Sequence, residues 1–338
     1  MADQLVPGPM SETALAGWSP FRAGWSDGRM VVDWCHFGSR RFIEPFFYET
    51  VARAMIEPFN MAFQRRTPIE ALASLPPGVP IHGFIFHMSR CGSTLCAQAL
   101  ASLFENIVLS EAAPINAVIR APEYGPANSD DAATWLAGMV NALGQRRLTG
   151  ELRLIIKFGA ANTFDLPLIS RTFPDVPWIF LYRDPIEILA SHQVNGSADF
   201  LPGAIPAQRL GLRDGEAWTL EAPRYQAHCL AGIGQAALSA GHRNPRSLFL
   251  DYRELPDALW DTLPAHFGFT LSGDDRAAIL ETSRHHAKHP RDAFATDSAT
   301  KQAVAGHLRE MAEDVVGPTF AALDLARNEQ RRSAVYGT

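Results

Sequence analysis

Phe86-His87-Met88-Ser89-Arg90-Cys91-Gly92-Ser93-Thr94-Leu95 joins an apolar run, Ile81 to Phe86, to a segment, Leu95 to Phe104, whose apolar residues recur at helical spacing. A near-continuous apolar run suits a strand buried on both faces of a parallel sheet. Just before the helix, Arg90 to Thr94 supplies one basic residue and four small ones. In a tight turn at a helix N-terminus, the free N–H groups of Cys91, Gly92, Ser93 and Thr94 converge where the helix dipole favours negative charge, and Gly92 lets a ligand approach the backbone. The turn reads as a phosphate loop. A Mg-NTP loop requires Gly, four residues, then Gly-Lys-Ser/Thr. Here Ser93 follows Gly92 and the cation, Arg90, precedes it, so the loop is not built for Mg-NTP.

A second segment repeats the pattern. Pro177-Trp178-Ile179-Phe180-Leu181-Tyr182 reads as another buried strand, followed by Arg183-Asp184-Pro185 and a helical run through Ser191 and His192. Pro185 suits a first helical turn, which leaves Arg183 at the carboxyl end of the strand. Its long side chain can fold back over the strand edge, so one phosphate could meet both Arg183 and Ser191.

With these two segments the chain resembles the sulfotransferases that use 3′-phosphoadenylyl sulfate. Their 5′-phosphosulfate loop is similar to Arg90-Cys91-Gly92-Ser93-Thr94. Their 3′-phosphate motif, Arg-x-Pro-x5-Ser after a strand, is similar to Arg183 through Ser191. Leu248-Phe249-Leu250-Asp251-Tyr252-Arg253-Glu254-Leu255 resembles a recurring strand ending in Tyr-Glu-Asp-Leu, which implies Tyr252 at the nucleotide. The resemblance spans about residues 80 to 300. It implies a P-loop-like sulfotransferase fold, 3′-phosphoadenylyl sulfate as co-substrate and adenosine 3′,5′-bisphosphate as product. Many members close a loop over the nucleotide with Lys-Gly and Trp-Lys pairs. This chain has Arg284-His285-His286-Ala287-Lys288 and Phe294 to Lys301 instead, so a basic lid with other anchors is expected.

Composition frames these motifs. The 338 residues are 47% hydrophobic and 20% charged, ordinary for a soluble enzyme with a sizeable core. A net charge of −6 argues against a general nucleic-acid binder, which needs a basic footprint. Four cysteines without metal-ligand spacing suggest reduced thiols in a cytoplasm. No basic region leads into an apolar segment at Met1-Ala2-Asp3-Gln4, and no apolar run approaches the roughly 18 residues of a membrane span, so neither a secretory signal nor a span is expected.

Along the chain, residues 1–78 read as an aromatic-rich N-terminal extension, from Trp18 to Phe63, ended by Pro76-Pro77-Gly78 and packing on the main sheet or on a partner subunit. Residues 79–338 read as the α/β domain. Strands at Ile107–Ser110, Arg153–Phe158 and Ser247–Leu250 alternate with helices about Ala132–Leu143, Leu166–Phe173 and Ala217–Ala240. Such alternation predicts a central parallel sheet flanked by helices, with ligands at the carboxyl ends of its strands.

Sulfuryl transfer needs in-line attack on sulfur, stabilisation of charge on the sulfuryl and phosphate oxygens, and removal of the acceptor proton. No metal is required in principle, because the loop N–H groups and one or two cations can supply that stabilisation. Arg90 is expected to be the cation at the bridging oxygen, acting electrostatically because it cannot deliver a proton. Ser93 and Thr94 can donate to the 5′-phosphate or merely cap the helix. Glu111, directly after the second strand, is the candidate general base, with His87 its rival. His82 reads as structural. Lys157, leaving a buried strand at the same edge, is a second cation for the sulfuryl group or acceptor, although an isolated strand-end lysine commonly snorkels to water. The acceptor is expected to be a small molecule of unknown identity, and a homodimer is left open. Two alternatives stand beside the enzyme: a P-loop small-molecule kinase, and a noncatalytic nucleotide-binding protein of the same fold.

Overall fold

A computed structural model describes residues 15–194, 196–286, 289–293 and 308–336. Of the expected basic lid, residues 287, 288 and 294–301 lie outside that set.

The apolar runs become five parallel strands: β4 (Ile81–His87), β5 (Asn106–Ser110), β6 (Arg153–Lys157), β7 (Trp178–Tyr182) and β8 (Ser247–Asp251), in the order β5-β6-β4-β7-β8. Helices α1 (Ser93–Ser102), α2 (Ala113–Ile119), α3 (Ser129–Leu143), α4 (Leu166–Thr172), α5 (Pro185–Val194), α6 (Ala222–Gly241), α7 (Gly273–Ser283) and α8 (Gly317–Tyr336) flank it. Successive strand residues point to opposite faces, so each strand feeds two cores. Ile85, Ile155, Ile179 and Leu181 pack with Leu95, Cys96 and Leu100 of α1, and Ile279 of α7. Phe84, Phe86, Ile156, Trp178 and Phe180 pack with Leu136 and Val140 of α3 and Leu230 and Ile233 of α6. There Phe86 stacks flat on Phe158, ring centroids 4.8 Å apart. Near-continuous apolar strands are the sequence signature of this double burial.

From β4 the chain moves to the β5 side of the sheet, and from β7 to the β8 side. The topology therefore reverses between the neighbouring strands β4 and β7, where open α/β sheets bind ligands. The loops after these two strands carry the two segments expected to bind anions.

Element boundaries differ from the sequence expectation where caps decide them. Helix α3 begins at Ser129 because the Asn128 side chain accepts from the Asp130 and Asp131 N–H groups while the Asp131 carboxylate accepts from the Asn128 N–H. Helix α6 begins at Ala222, not Ala217, because Pro223 sets the first turn after an extended Glu221. Glu216–Trp218 is a separate 3₁₀ turn. Helix α8 was not anticipated. Its Gln330 amide accepts from the Phe249 N–H at 2.9 Å and donates to the Ser247 carbonyl at 3.0 Å, pairing edge strand β8 as another strand would.

The extension holds an antiparallel sheet, β1 (Trp18–Ser26), β2 (Arg29–His36) and β3 (Arg65–Pro68). Asp27 and Gly28, at φ +49° and +75°, form the β1–β2 turn. Trp18, Val32, Trp34 and Phe47 join the core on the α3 side, and Trp25 seats against Trp135 and Gly125, where any Cβ would strike its ring. Arg41 donates to the Ala101 and Leu103 carbonyls, capping the C-terminal end of α1. Within the described residues the extension packs on helices of this chain, and its Phe46 ring reaches Lys157 at the end of β6. Among the described residues no helix is long and apolar enough to cross a membrane.

Candidate functional site

The loop between β4 and α1 is built from unusual backbone. Ser89, Arg90 and Gly92 have φ of +73°, +49° and +85°. Left-handed residues in sequence turn backbone N–H groups toward the inside of a bend, a concavity suited to anions. Gly92 is needed for space as well, since a Cβ there would lie 2.7 Å from Leu255 Cδ1 and 3.0 Å from the Tyr252 ring. It is the N-cap of α1, an end that no side chain caps. The helix therefore presents its first N–H groups together with the buried hydroxyls of Ser93 and Thr94.

Cys91 is an anchor. Its thiol donates to the Leu181 carbonyl at 3.1 Å, tying the loop to β7. Burial pushes that thiol up to about 12, so it stays protonated near neutrality. Arg90 donates to the Gly196 carbonyl at 3.2 Å, beyond the end of α5.

On the β7 side, Arg183 is buried. Its Nε donates to Glu187 Oε2 at 2.5 Å, Nη1 donates to the Arg90 carbonyl at 3.5 Å, and the guanidinium lies 4.0 Å over the Tyr252 ring. Asp184 accepts from the Ile186 N–H at 2.8 Å, fixing the first turn of α5. Two turns on, Ser191 is half-buried, and its neighbour His192 places Nε2 3.3 Å from Ser89 Oγ. Both ends of the 183–192 segment therefore touch the 89–90 turn. The two sequence motifs share one rim of the sheet.

On the other side, register aligns Ser110 with Lys157 and Lys157 with Ile85. His87, two residues beyond Ile85, shares that face. Lys157 does not snorkel to water: it is 1% exposed, and its Nζ pairs with Glu111 Oε1. A flexible stem runs outward only when nothing nearer neutralises its charge, and here Glu111 does so. Glu111 sits just past β5 with φ +56°, a left-handed strain that turns its carboxylate back over β6, and its N–H donates to the Lys157 carbonyl at 2.7 Å. Burial alone would raise the Glu111 carboxyl. Lys157 and the His87 ring outweigh that and hold it far below the usual carboxylate range.

His87 Nδ1 accepts the Ser89 N–H at 3.0 Å, which assigns the ring proton to Nε2. That Nε2 faces Glu111 Oε1 at 3.7 Å, longer than a hydrogen bond. Burial lowers the imidazole pKa, so the ring is neutral near neutrality. With Nδ1 occupied and Nε2 protonated, His87 has no free lone pair for an acceptor proton. His82 sits apart, its Nδ1 3.0 Å from the Phe267 carbonyl, as a structural residue would.

Lys157 ends β6 and Arg183 follows β7, the two strands on either side of β4, so the two cations flank the loop from its two sides. Among the described residues no group of three His, Cys, Asp or Glu side chains gathers around a metal-sized space. The sequence reading missed Glu187 and did not single out Asp199 or the Phe46–Tyr48 pair. Glu187 was findable, because Arg183 and Glu187 stand four residues apart. Asp199 and the aromatic pair reach the site only through tertiary packing, which leaves no local signal.

No protein-family model and no curated protein matches the chain. Among solved structures it is similar to the sulfotransferase domain of the olefin synthase from Synechococcus PCC 7002, at TM-score 0.44 and 16% identity, over 74% of this chain and 94% of that one. It is also similar to a sulfotransferase from Alicyclobacillus acidocaldarius, at TM-score 0.43 and 13% identity, over 73% and 96% of the two chains. A third likeness is to the sulfotransferase domain from the curacin biosynthetic pathway, at TM-score 0.41 and 14% identity, over 71% and 97%.

Proposed function

We propose that this chain transfers a sulfuryl group from 3′-phosphoadenylyl sulfate to a hydroxyl or amine of a small molecule. One observation supports the reading: Arg183 and His192, at the two ends of the 183–192 segment, touch the 88–94 turn, so an anion bound at Arg183 would adjoin one bound in the loop. Two adjoining pockets suit one ligand with two phosphorylated ends. In this reading the N–H groups of Cys91 to Thr94 and the hydroxyls of Ser93 and Thr94 hold the 5′-phosphosulfate. Arg183 and Ser191 hold the 3′-phosphate, and Tyr252 flanks the loop.

The chemistry then follows from charge. The acceptor oxygen or nitrogen attacks sulfur, the bond from sulfur to the bridging oxygen breaks, and adenosine 3′,5′-bisphosphate leaves with that bond's electron pair. Arg90 and Lys157 stabilise charge on the bridging and sulfuryl oxygens, and Glu111 takes the acceptor proton. A carboxylate locked to Lys157 is a weak base. Drawing Lys157 toward the sulfuryl oxygens removes the interaction that depresses Glu111, so its basicity rises as the donor seats.

Thermal shift with adenosine 3′,5′-bisphosphate, ATP and AMP tests the donor, since a ligand that binds only the folded chain raises its apparent stability. Selective stabilisation by the bisphosphate is expected. Equal stabilisation by Mg-ATP would move the reading to a kinase. Bisphosphate binding with no donor turnover on any acceptor would leave a noncatalytic binder.

A further inference from the structure

A polar cavity lies at the amino end of the parallel sheet, away from the carboxyl ends that carry the site. Trp18, Ser19 and Trp34 of the extension line one side, and Pro76, Gln145 and Arg147 line the other, the last two from the connection between α3 and β6. Two of these side chains bury a polar atom that has no hydrogen-bond partner among the described residues. They are Ser19 Oγ, on a residue 1% exposed, and Arg147 Nη1, on a side chain 2% exposed. Buried polar groups are paired as a rule, and an unpaired one bears its full desolvation cost, so two in one cavity point to a ligand. The rest of the Arg147 guanidinium is fixed. Its Nε donates to the Arg40 carbonyl at 3.2 Å, Nη2 donates to Glu151 Oε1 at 3.4 Å, and the plane lies 3.7 Å over the Phe42 ring. Glu151 spends its other oxygen on the Arg147 and Leu148 N–H groups, at 2.6 and 2.9 Å. Arg41 and Arg147 share the Glu151 charge, and the exposed Arg146 stands at the cavity rim. Burial and the Arg41 charge push the Arg147 pKa down to about 10, so an anion beside it is a favourable counter-charge.

We infer that Ser19 and Arg147, with Arg146 at the rim, form a binding site for a small tetrahedral oxyanion of the sulfate or phosphate class, which ties the extension to the α/β domain. The inference is independent of the sulfuryl-transfer reading. Size selects a small ion: the cavity measures about 80 Å³, whereas one water needs about 10–15 Å³ and a nucleotide-sized ligand about 300 Å³ or more. Shape selects a tetrahedral one. A carboxylate matches two parallel N–H groups of a guanidinium fork, and here Nε and Nη2 are already engaged. A hydroxyl and a guanidinium nitrogen from two different segments suit divergent oxygens instead. One oxygen accepts from Ser19 and another from Arg147 Nη1, which pairs both buried groups. Because Ser19 belongs to β1 and Arg147 to the α3–β6 connection, the bound ion bridges the two regions and stabilises the folded chain by mass action.

Thermal unfolding of the full chain in millimolar sodium sulfate, sodium phosphate or sodium acetate tests the site, with ionic strength held by sodium chloride so that the general stabilisation by sulfate stays small. A saturable rise in Tm with sulfate and phosphate, and little with acetate, is expected. The loop before α1 is also expected to take an oxyanion, so substitutions far from that loop decide. Ser19→Ala, which loses no partner within the chain, should melt within about 1 °C of the wild type without sulfate. It should raise the sulfate concentration for half the effect about fivefold, as loss of one hydrogen bond implies. Arg146→Ala should raise it about threefold, as loss of a rim charge implies. Arg147→Met should abolish the effect, and if that variant does not fold the other two still decide. An equal sulfate response in the wild type and both alanine variants would assign the ion to the loop and overturn the inference. No saturable response, as for a cavity filled by water, would overturn it as well. So would an equal response to acetate, or a Ser19→Ala variant destabilised without sulfate.

Discussion

Arg183 on the β7 side and Lys157 on the β6 side are both buried, both paired to a carboxylate and both close to Cys91, yet the two pairs are made of opposite materials. The guanidinium is held on three sides, by Glu187 from its own helix, by the Arg90 carbonyl and by the Tyr252 ring. A planar fork fixed in this way is pre-organised to bind. Lys157 is a point charge on a flexible stem. Its partner comes from a different strand end, is 30% exposed, and is turned into place by a strained backbone. The flexible lysine stem can re-aim its charge where a fixed fork cannot. Under the proposed function, the contrast puts binding on one side of the loop and chemistry on the other.

The largest effect that would break this contrast is on Glu111. Glu111→Gln should lower kcat about 10²–10⁴-fold, the range for loss of a general base, with bisphosphate affinity retained. A comparable loss of affinity would mean that the β6 side binds the donor. Next comes Lys157→Ala, for which turnover should fall about 10²–10³-fold, as on removal of an oxyanion donor, with affinity within about threefold. Unaltered turnover would return Lys157 to a purely structural role. On the binding side, Ser191→Ala should weaken the bisphosphate by about fivefold, the equivalent of one hydrogen bond near 1 kcal/mol, and leave kcat unchanged.

The smallest effect concerns pH. His87 titrates near 6.5 in the unfolded chain and lower when folded, so between those values only the unfolded chain binds the proton. Its contribution to stability is therefore full above about 6.5 and is lost as pH falls through that window. Tm should be lower at pH 5 than at pH 7.5, and His87→Gln should narrow the gap. His228 and His266 shift the same way, so the gap narrows rather than closes. An unchanged gap in the variant would show that His87 is not the group responsible.

The five parallel strands and both loop motifs were legible because each depends on a local pattern: an apolar run, a small-residue turn, a proline in a first turn. The β1–β2 hairpin was equally legible from Asp27-Gly28 between alternating segments, and was passed over because the aromatic density around it reads as undifferentiated core. Helix α8 has little apolar patterning and earns its place by tertiary contacts, among them Tyr182 to Asp324 at 2.6 Å. In the site, the positions of Arg90, Arg183 and Glu111 at strand ends followed from sequence. The pairing of Lys157 with Glu111 did not, because it joins neighbouring strands β6 and β5 through a left-handed residue that no spacing announces. Nor did the Phe46–Tyr48 surface, which lies far from Lys157 along the chain.

Calorimetric titration of wild type and Arg183→Ala with adenosine 3′,5′-bisphosphate and with AMP tests the division of labour most directly. The account predicts that the wild type binds the bisphosphate far more tightly than AMP. Arg183→Ala should lose roughly 10- to 150-fold on the bisphosphate, as loss of a charge-assisted contact of about 1.5–3 kcal/mol implies, and almost nothing on AMP. An equal loss on both ligands, or no loss on the bisphosphate, would contradict it.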